Sequence, residues 1–60
     1  MPVQADRMRS LLQKEVTFLR MTEAELRRVA CEVPGDMAIR LDQIANKIQA
    51  DAEELERETG

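Results

Sequence analysis

Apolar residues recur along the first half of the chain with the spacing of a helix that buries one face. Four of them are separated by intervals of seven residues: Leu12, Leu19, Leu26 and Val33. That interval returns an apolar side chain to the same helix face. Because residues 3–33 contain neither Gly nor Pro, the pattern predicts a first helix over about residues 4–33.

A second apolar stripe follows in the other half of the chain. Its members lie one, three or four residues apart: Met37, Ala38, Leu41, Ile44, Ala45, Ile48, Ala52 and Leu55. This spacing predicts a second helix over about residues 37–57. Beta-branched residues nowhere alternate over the length of a strand, and strong helix formers dominate the composition. The predicted class is all-α.

Thr22 leaves two interpretations of the first helix open. Thr22 and Glu25 have the spacing of a capping box, and Met21 and Leu26 could form the hydrophobic staple that accompanies it. A new helix could therefore begin here. The seven-residue repeat passes Thr22 without a shift, however, which favours one helix, straight or bent at this point, over two shorter ones.

The stretch VPGD, residues 33–36, predicts a tight turn between the helices. Pro34 disfavours helical geometry at Val33, and Gly35 permits unusual backbone angles. Asp36 is a good N-cap for the helix that follows. Such a short connection predicts an antiparallel helical hairpin.

Charge is spread unevenly along the chain. The net charge is −3, with a net +1 over residues 1–33 and a net −4 over residues 34–60. In an antiparallel hairpin the acidic stretch DAEELERE would lie beside three cations of the first helix: Arg7, Arg9 and Lys14. An acidic balance disfavours a nucleic acid or an anionic membrane as partner, because phosphate binding needs clustered cations.

The first helix carries more apolar surface than one neighbouring helix covers. Between Met8 and Met21 the apolar side chains span an arc of roughly 150°, whereas packing against one neighbour takes roughly 100°. Eight residues form the predicted interface: Met8, Leu11, Leu12, Glu15, Val16, Phe18, Leu19 and Met21. Two hairpins that packed through their first helices would form a four-helix bundle.

Three members of the predicted interface are not ordinary core residues. Glu15 lies among apolar side chains, where it could either specify the pairing as a buried polar residue or extend to the rim. Met8 and Met21 have flexible thioether side chains that adapt to the surface of a partner, or fill a core. The interface therefore combines apolar contact with one charge.

Length and composition restrict the chemistry of the chain. One domain of residues 1–60 buries only about 60% of the surface its unfolded chain exposes. The single cysteine, Cys31, excludes an internal disulfide, and the absence of histidine leaves a zinc site without ligands. Association is the remaining way to stabilise so small a core. Without histidine, Cys31 also lacks a base that could activate it, so we expect Cys31 to be an ordinary surface thiol. We also expect that the protein is not an enzyme and binds no cofactor.

The expected partner is a second copy of the chain, a larger protein, or both. No apolar run approaches the roughly 20 residues of a membrane span. The N-terminus lacks the pattern of a signal peptide. We therefore expect a cytoplasmic location, which also suits a free thiol.

Two alternative functions remain open. The first is a regulator of nucleic-acid transactions that uses a basic row of the first helix: Arg7, Arg9, Lys14, Arg20, Arg27 and Arg28. Acidic residues close by weaken that interpretation, and there is no aromatic platform for stacking bases. The second is an inhibitor whose five acidic residues between Asp51 and Glu58 occupy a basic site on an enzyme. The same acids could equally form a solvated helix surface.

Overall fold

Two long helices lie side by side in opposite directions. The computed structural model describes the backbone of residues 2–59 and the side chains of residues 5–59. Helix α1 spans Pro2–Ala30 and helix α2 spans Gly35–Thr59. The prediction of an all-α antiparallel hairpin is confirmed, whereas Met1 and Gly60 of the predicted domain lie outside the described residues.

Helix α1 runs through Thr22 without interruption. The Thr22 hydroxyl donates a hydrogen bond to the carbonyl oxygen of Phe18 at 3.0 Å instead of capping a new helix. Thr17 donates to the Gln13 carbonyl oxygen in the same way. A threonine inside a helix commonly satisfies its hydroxyl through the carbonyl four residues earlier. The continuous helix is therefore confirmed, and the alternative of a break is wrong.

Helix α1 ends at Ala30, three residues earlier than predicted. The chain then tightens, because Cys31 N–H donates to Arg28 at 3.2 Å and Glu32 N–H donates to Val29 at 2.9 Å. Bonds of this kind, to the third residue back, satisfy the last carbonyls of a helix.

Helix α2 begins two residues earlier than predicted, and Pro34 rather than Asp36 occupies the N-cap position. The carbonyl oxygen of Pro34 accepts the first helical hydrogen bond, from Ala38 N–H at 3.0 Å. Proline suits a helix start, since its missing N–H would have no helical partner there. Asp36 lies in the first turn, where its carboxylate interacts favourably with the helix dipole.

Gly35 is a helical residue, and its predicted unusual conformation is wrong. No described glycine has positive φ, and a Cβ added to Gly35 would meet no atom within 4 Å. We therefore expect Gly35→Ala to raise the free energy of unfolding by about 0.4–1 kcal/mol, because alanine restricts the unfolded chain. Urea denaturation at fixed protein concentration measures this change. A lower midpoint would show that the glycine is required.

The core between the helices is thin and built from small residues. Among the side chains of residues 5–59, the buried apolar ones are Val16, Ala30, Ala45 and Ala52, and no large one is fully buried. Half-buried residues form a row along each helix, here called the seam: Leu12, Leu19, Leu26, Leu41, Ile48 and Leu55. Three of the four buried residues are alanines, and the larger seam residues remain partly uncovered.

Candidate interaction surface

Two arginines of α1 join the helices along one side of the hairpin, here called the polar side. The Arg27 guanidinium donates through Nη2 to Asn46 Oδ1 and to Gln49 Oε1, each at 3.0 Å. Arg20 forms an ion pair with Glu56. These contacts hold α1 and α2 in one register along the polar side.

The predicted ion pairs of Arg7, Arg9 and Lys14 are wrong, since none of these cations pairs with a carboxylate among the described side chains. Arg7 and Lys14 lie nine and two residues before the buried Val16. At about 100° per residue, both therefore project from the side of α1 that faces away from α2. Arg9 does approach the acidic end of α2, where it lines a shallow depression with Glu58.

Four of the residues that join the helices directly follow a seam residue: Arg20, Arg27, Gln49 and Glu56. One step along a helix is a rotation of about 100°. Since the helices are antiparallel, the same step leads to the same side of the hairpin in both of them. Residues one or four positions before a seam residue therefore lie together on the opposite side.

That opposite side carries large exposed apolar side chains together with charged ones such as Glu15, Lys47 and Asp51. Five side chains form what we call the apolar face: Met8 (65% exposed), Leu11 (57%), Phe18 (61%), Met37 (62%) and Ile44 (46%). A depression of about 390 Å³ adjoins Phe18 and Leu26. Another of about 220 Å³ adjoins Met37 and Ile44. Both depressions are places where a partner's side chain could insert.

The eight residues of the predicted interface fall into three groups. Met8, Leu11, Phe18 and Met21 are exposed, and so is the charged Glu15. Leu12 and Leu19 are half-buried in the seam. Val16 is buried against α2, because its flank of α1 is the one that forms the hairpin core. Met21 lies three residues beyond Phe18, at the outer edge of the apolar face.

Met37 and Ile44 belong to the apolar stripe that the sequence predicted for α2, but both are exposed in the hairpin. Each precedes a seam residue of α2 by four positions, the same offset that Met8 has from Leu12 on α1. The seven-residue repeat already placed Met37 and Ile44 on one row of α2. Only the rotation of α2 about its axis shows that this row faces outward. The apolar face consequently extends over both helices.

Charged groups at the rim of the apolar face remain solvated. The Arg28 guanidinium, which hydrogen-bonds and attracts Glu25, holds the pKa of the Glu25 carboxyl below its usual range. Glu25 in turn raises the pKa of Arg28. Lys47 lies 3.5 Å from Asp51 on α2. Such exposed pairs contribute little to stability, but they keep the rim polar.

The described residues offer few groups for chemistry. They include no cluster of three histidine, cysteine or acidic side chains that could hold a metal ion. Cys31 is a free, exposed thiol. Within the described part of the chain, neither helix has the length and apolar character to cross a membrane.

No protein-family model, no curated protein and no solved structure matches this chain. The fold and its surfaces therefore carry the functional argument.

Proposed function

We propose that this protein is a non-catalytic interaction module that associates through the apolar face. Leu11 and Phe18 of α1 are central to it, because both project from the hairpin with more than half of their surface exposed. A contiguous apolar surface on a small domain commonly marks a protein–protein contact. The single aromatic residue of the chain, Phe18, lies within this surface, and aromatic residues are enriched at interfaces.

The accessible surface of the hairpin is the observation that carries the proposal. A folded monomer of 6.9 kDa is expected to expose about 4,000 Å². The hairpin exposes 4881 Å², because its elongated shape of 51 × 14 × 11 Å has little interior. The excess of about 900 Å² shows how little of its surface this hairpin buries, and Leu11, Phe18 and Met37 are among the side chains left uncovered.

The basic row of α1 supports a nucleic-acid function less well than the apolar face supports association. Arg20 pairs with Glu56, Arg27 with Glu23, and Arg28 with Glu25 and Glu32. Three of the six cations are thus already neutralised by carboxylates. Binding to phosphates would require these pairs to be exchanged.

The acidic end of α2 is a weaker candidate site for a similar reason. Glu56 is engaged by Arg20, and Asp51 lies near Lys47. Glu53 accepts a hydrogen bond from Gln49 at 3.5 Å, so three of the five acids have partners within the chain. Solubility and pairing within the hairpin account for these residues without an external basic site.

The mass of the native particle tests the proposal. We expect light scattering coupled to size-exclusion chromatography to give more than the 6.9 kDa of one chain, either for the purified protein or in a cell extract. Dilution should lower the mass of a reversible assembly. A folded particle of 6.9 kDa under both conditions would contradict an interaction role.

A further inference from the structure

We propose that the outward side of α1 docks an acidic amphipathic helix of another protein. This inference rests on the proposed function and specifies the chemistry of the partner. The docking surface is a row of five exposed residues, here called the outer row: Arg7, Leu11, Lys14, Phe18 and Met21. The outer row shares Leu11 and Phe18 with the apolar face.

The spacing of the outer row suits one further helix. Its members are separated by four, three, four and three residues, which is the spacing that meshes side chains with a neighbouring helix. At about 100° per residue, each member lies at least about 140° around α1 from the buried Val16. Helix α2 therefore leaves the outer row uncovered, and Leu11, Phe18 and Met21 are 57%, 61% and 68% exposed.

A depression at the end of the outer row offers a place for a side chain of the partner. It has a volume of about 390 Å³ and is lined by Phe18, Met21, Thr22, Glu25 and Leu26. An apolar side chain inserted there would contact Phe18 and Met21, which have no other neighbour to cover them in the hairpin.

Arg7 and Lys14 determine the charge of the partner. Both cations are exposed, and neither pairs with a carboxylate among the described side chains. A helix that covered Leu11 and Phe18 would remove water from Lys14, and a cation that loses water needs an opposite charge. Carboxylates on the facing flank of the partner would supply that charge, as flanking residues do in coiled coils.

The position of Glu15 favours a helix over an anionic membrane as the partner. Glu15 is the only carboxylate within residues 7–22. At about 100° per residue, Lys14 and Glu15 lie roughly 40–60° to opposite sides of Leu11 and Phe18. A flat anionic surface that received Leu11 and Phe18 would meet both flanks at once and repel Glu15. A helix presents different residues to the two flanks, so it can oppose Lys14 with a carboxylate and leave Glu15 in water.

Two synthetic peptides test the charge of the partner. Each forms a helix of about 20 residues, or about 30 Å, with leucines at intervals of three and four residues and glutamines along one flank. The other flank carries glutamates in the acidic peptide and lysines in the basic peptide. We expect fluorescence anisotropy to give a dissociation constant about tenfold lower for the acidic peptide, although the net charge of the protein, −3, favours the basic one.

Charge reversal in the outer row should exchange this preference. We expect a protein with Arg7→Glu and Lys14→Glu to bind the basic peptide more tightly than the acidic one. The matched control carries Arg40→Glu and Arg57→Glu, which reverse two exposed cations of α2 and change the net charge equally. We expect the control to keep its preference for the acidic peptide. Loss of that preference in both variants alike would assign it to net charge and overturn the proposal.

Amide NMR signals of the unmodified protein locate the contact without any substitution. We expect the acidic peptide to shift the signals of residues 7–21 most strongly. Circular dichroism confirms that each variant is folded. Largest shifts at Met37 and Ile44 would overturn the proposal, because these residues lie outside the outer row.

Four further results would also overturn this partner. They are equal affinity for the two peptides, no binding of the acidic peptide up to about 1 mM, tighter binding to vesicles of phosphatidylserine and phosphatidylcholine, and a dimer of the purified protein that the acidic peptide fails to displace. A native particle heavier than one chain would in each case leave the interaction role standing. A folded particle of 6.9 kDa, alone and in extract, would contradict both proposals.

Discussion

Phe18→Glu is expected to dissociate the assembly. Phe18 is 61% exposed in the single chain, so its substitution removes little of the hairpin's own packing. Burying a phenylalanine side chain contributes about 1.5–3 kcal/mol, and the interface loses this contribution. We therefore expect the dissociation constant to rise by a factor of about 10 to 100. Analytical ultracentrifugation over a range of concentrations measures this change.

Ala24→Glu is the matched control for this variant. Ala24 is exposed on α1 but lies outside the apolar face. Both substitutions add one negative charge, and glutamate is a good helix former in either place. We expect the control to retain the mass and dissociation constant of the original protein. Equal dissociation constants for the two variants would exclude Phe18 from the interface.

Ala45→Leu is expected to destabilise the hairpin itself. Ala45 has no exposed surface and lies in the core between α2 and α1. A leucine adds three carbon atoms at this contact, so the helices must move apart. Overpacking of this kind costs about 1–3 kcal/mol. Because a domain of this size loses about 4–8 °C per kcal/mol, we expect a fall in melting temperature on the order of 10 °C.

The same substitution at Ala50 separates overpacking from helix propensity. Ala50 is exposed on α2, five residues from Ala45. Ala50→Leu changes the same residue type in the same helix without entering the core. Thermal unfolding is followed by circular dichroism at one protein concentration, because association would otherwise shift the melting temperature. A melting temperature of Ala45→Leu equal to that of Ala50→Leu would contradict close packing at Ala45.

Local sequence patterns were sufficient for the secondary structure but not for its ends. The uninterrupted repeat of leucines predicted that α1 continues through Thr22, although the capping box at that residue indicated a start. The N-cap at Pro34 was missed, because Asp36 has the better side chain for a cap. In the structure Pro34 occupies the start of the helix instead. The fixed backbone angle of proline suits a helix start, and this preference competes with capping by a side chain.

The surface was predicted less completely than the fold. Leu11 and Phe18 were expected to face outward, and they are exposed in the hairpin. Val16 was assigned to the same surface, but it is buried under α2. Met37 and Ile44 were counted in the apolar stripe of α2 with the residues that pack on α1, but they are exposed. These errors have a common cause, since each depends on the rotation of a helix about its own axis.

The sequence alone determined that two helices form, that they are antiparallel, and that their apolar residues exceed what one helix pair can bury. The helices follow from the spacing of leucines and their antiparallel direction follows from the short turn, and both are local features of the sequence. The surplus of apolar residues follows from the number of residues in the chain. Only the tertiary structure decided which apolar residues become core. Val16 and the small residues Ala30, Ala45 and Ala52 are buried, whereas Phe18, Leu11 and Met37 stay exposed, because the rotation of each helix about its axis turns them away from the contact.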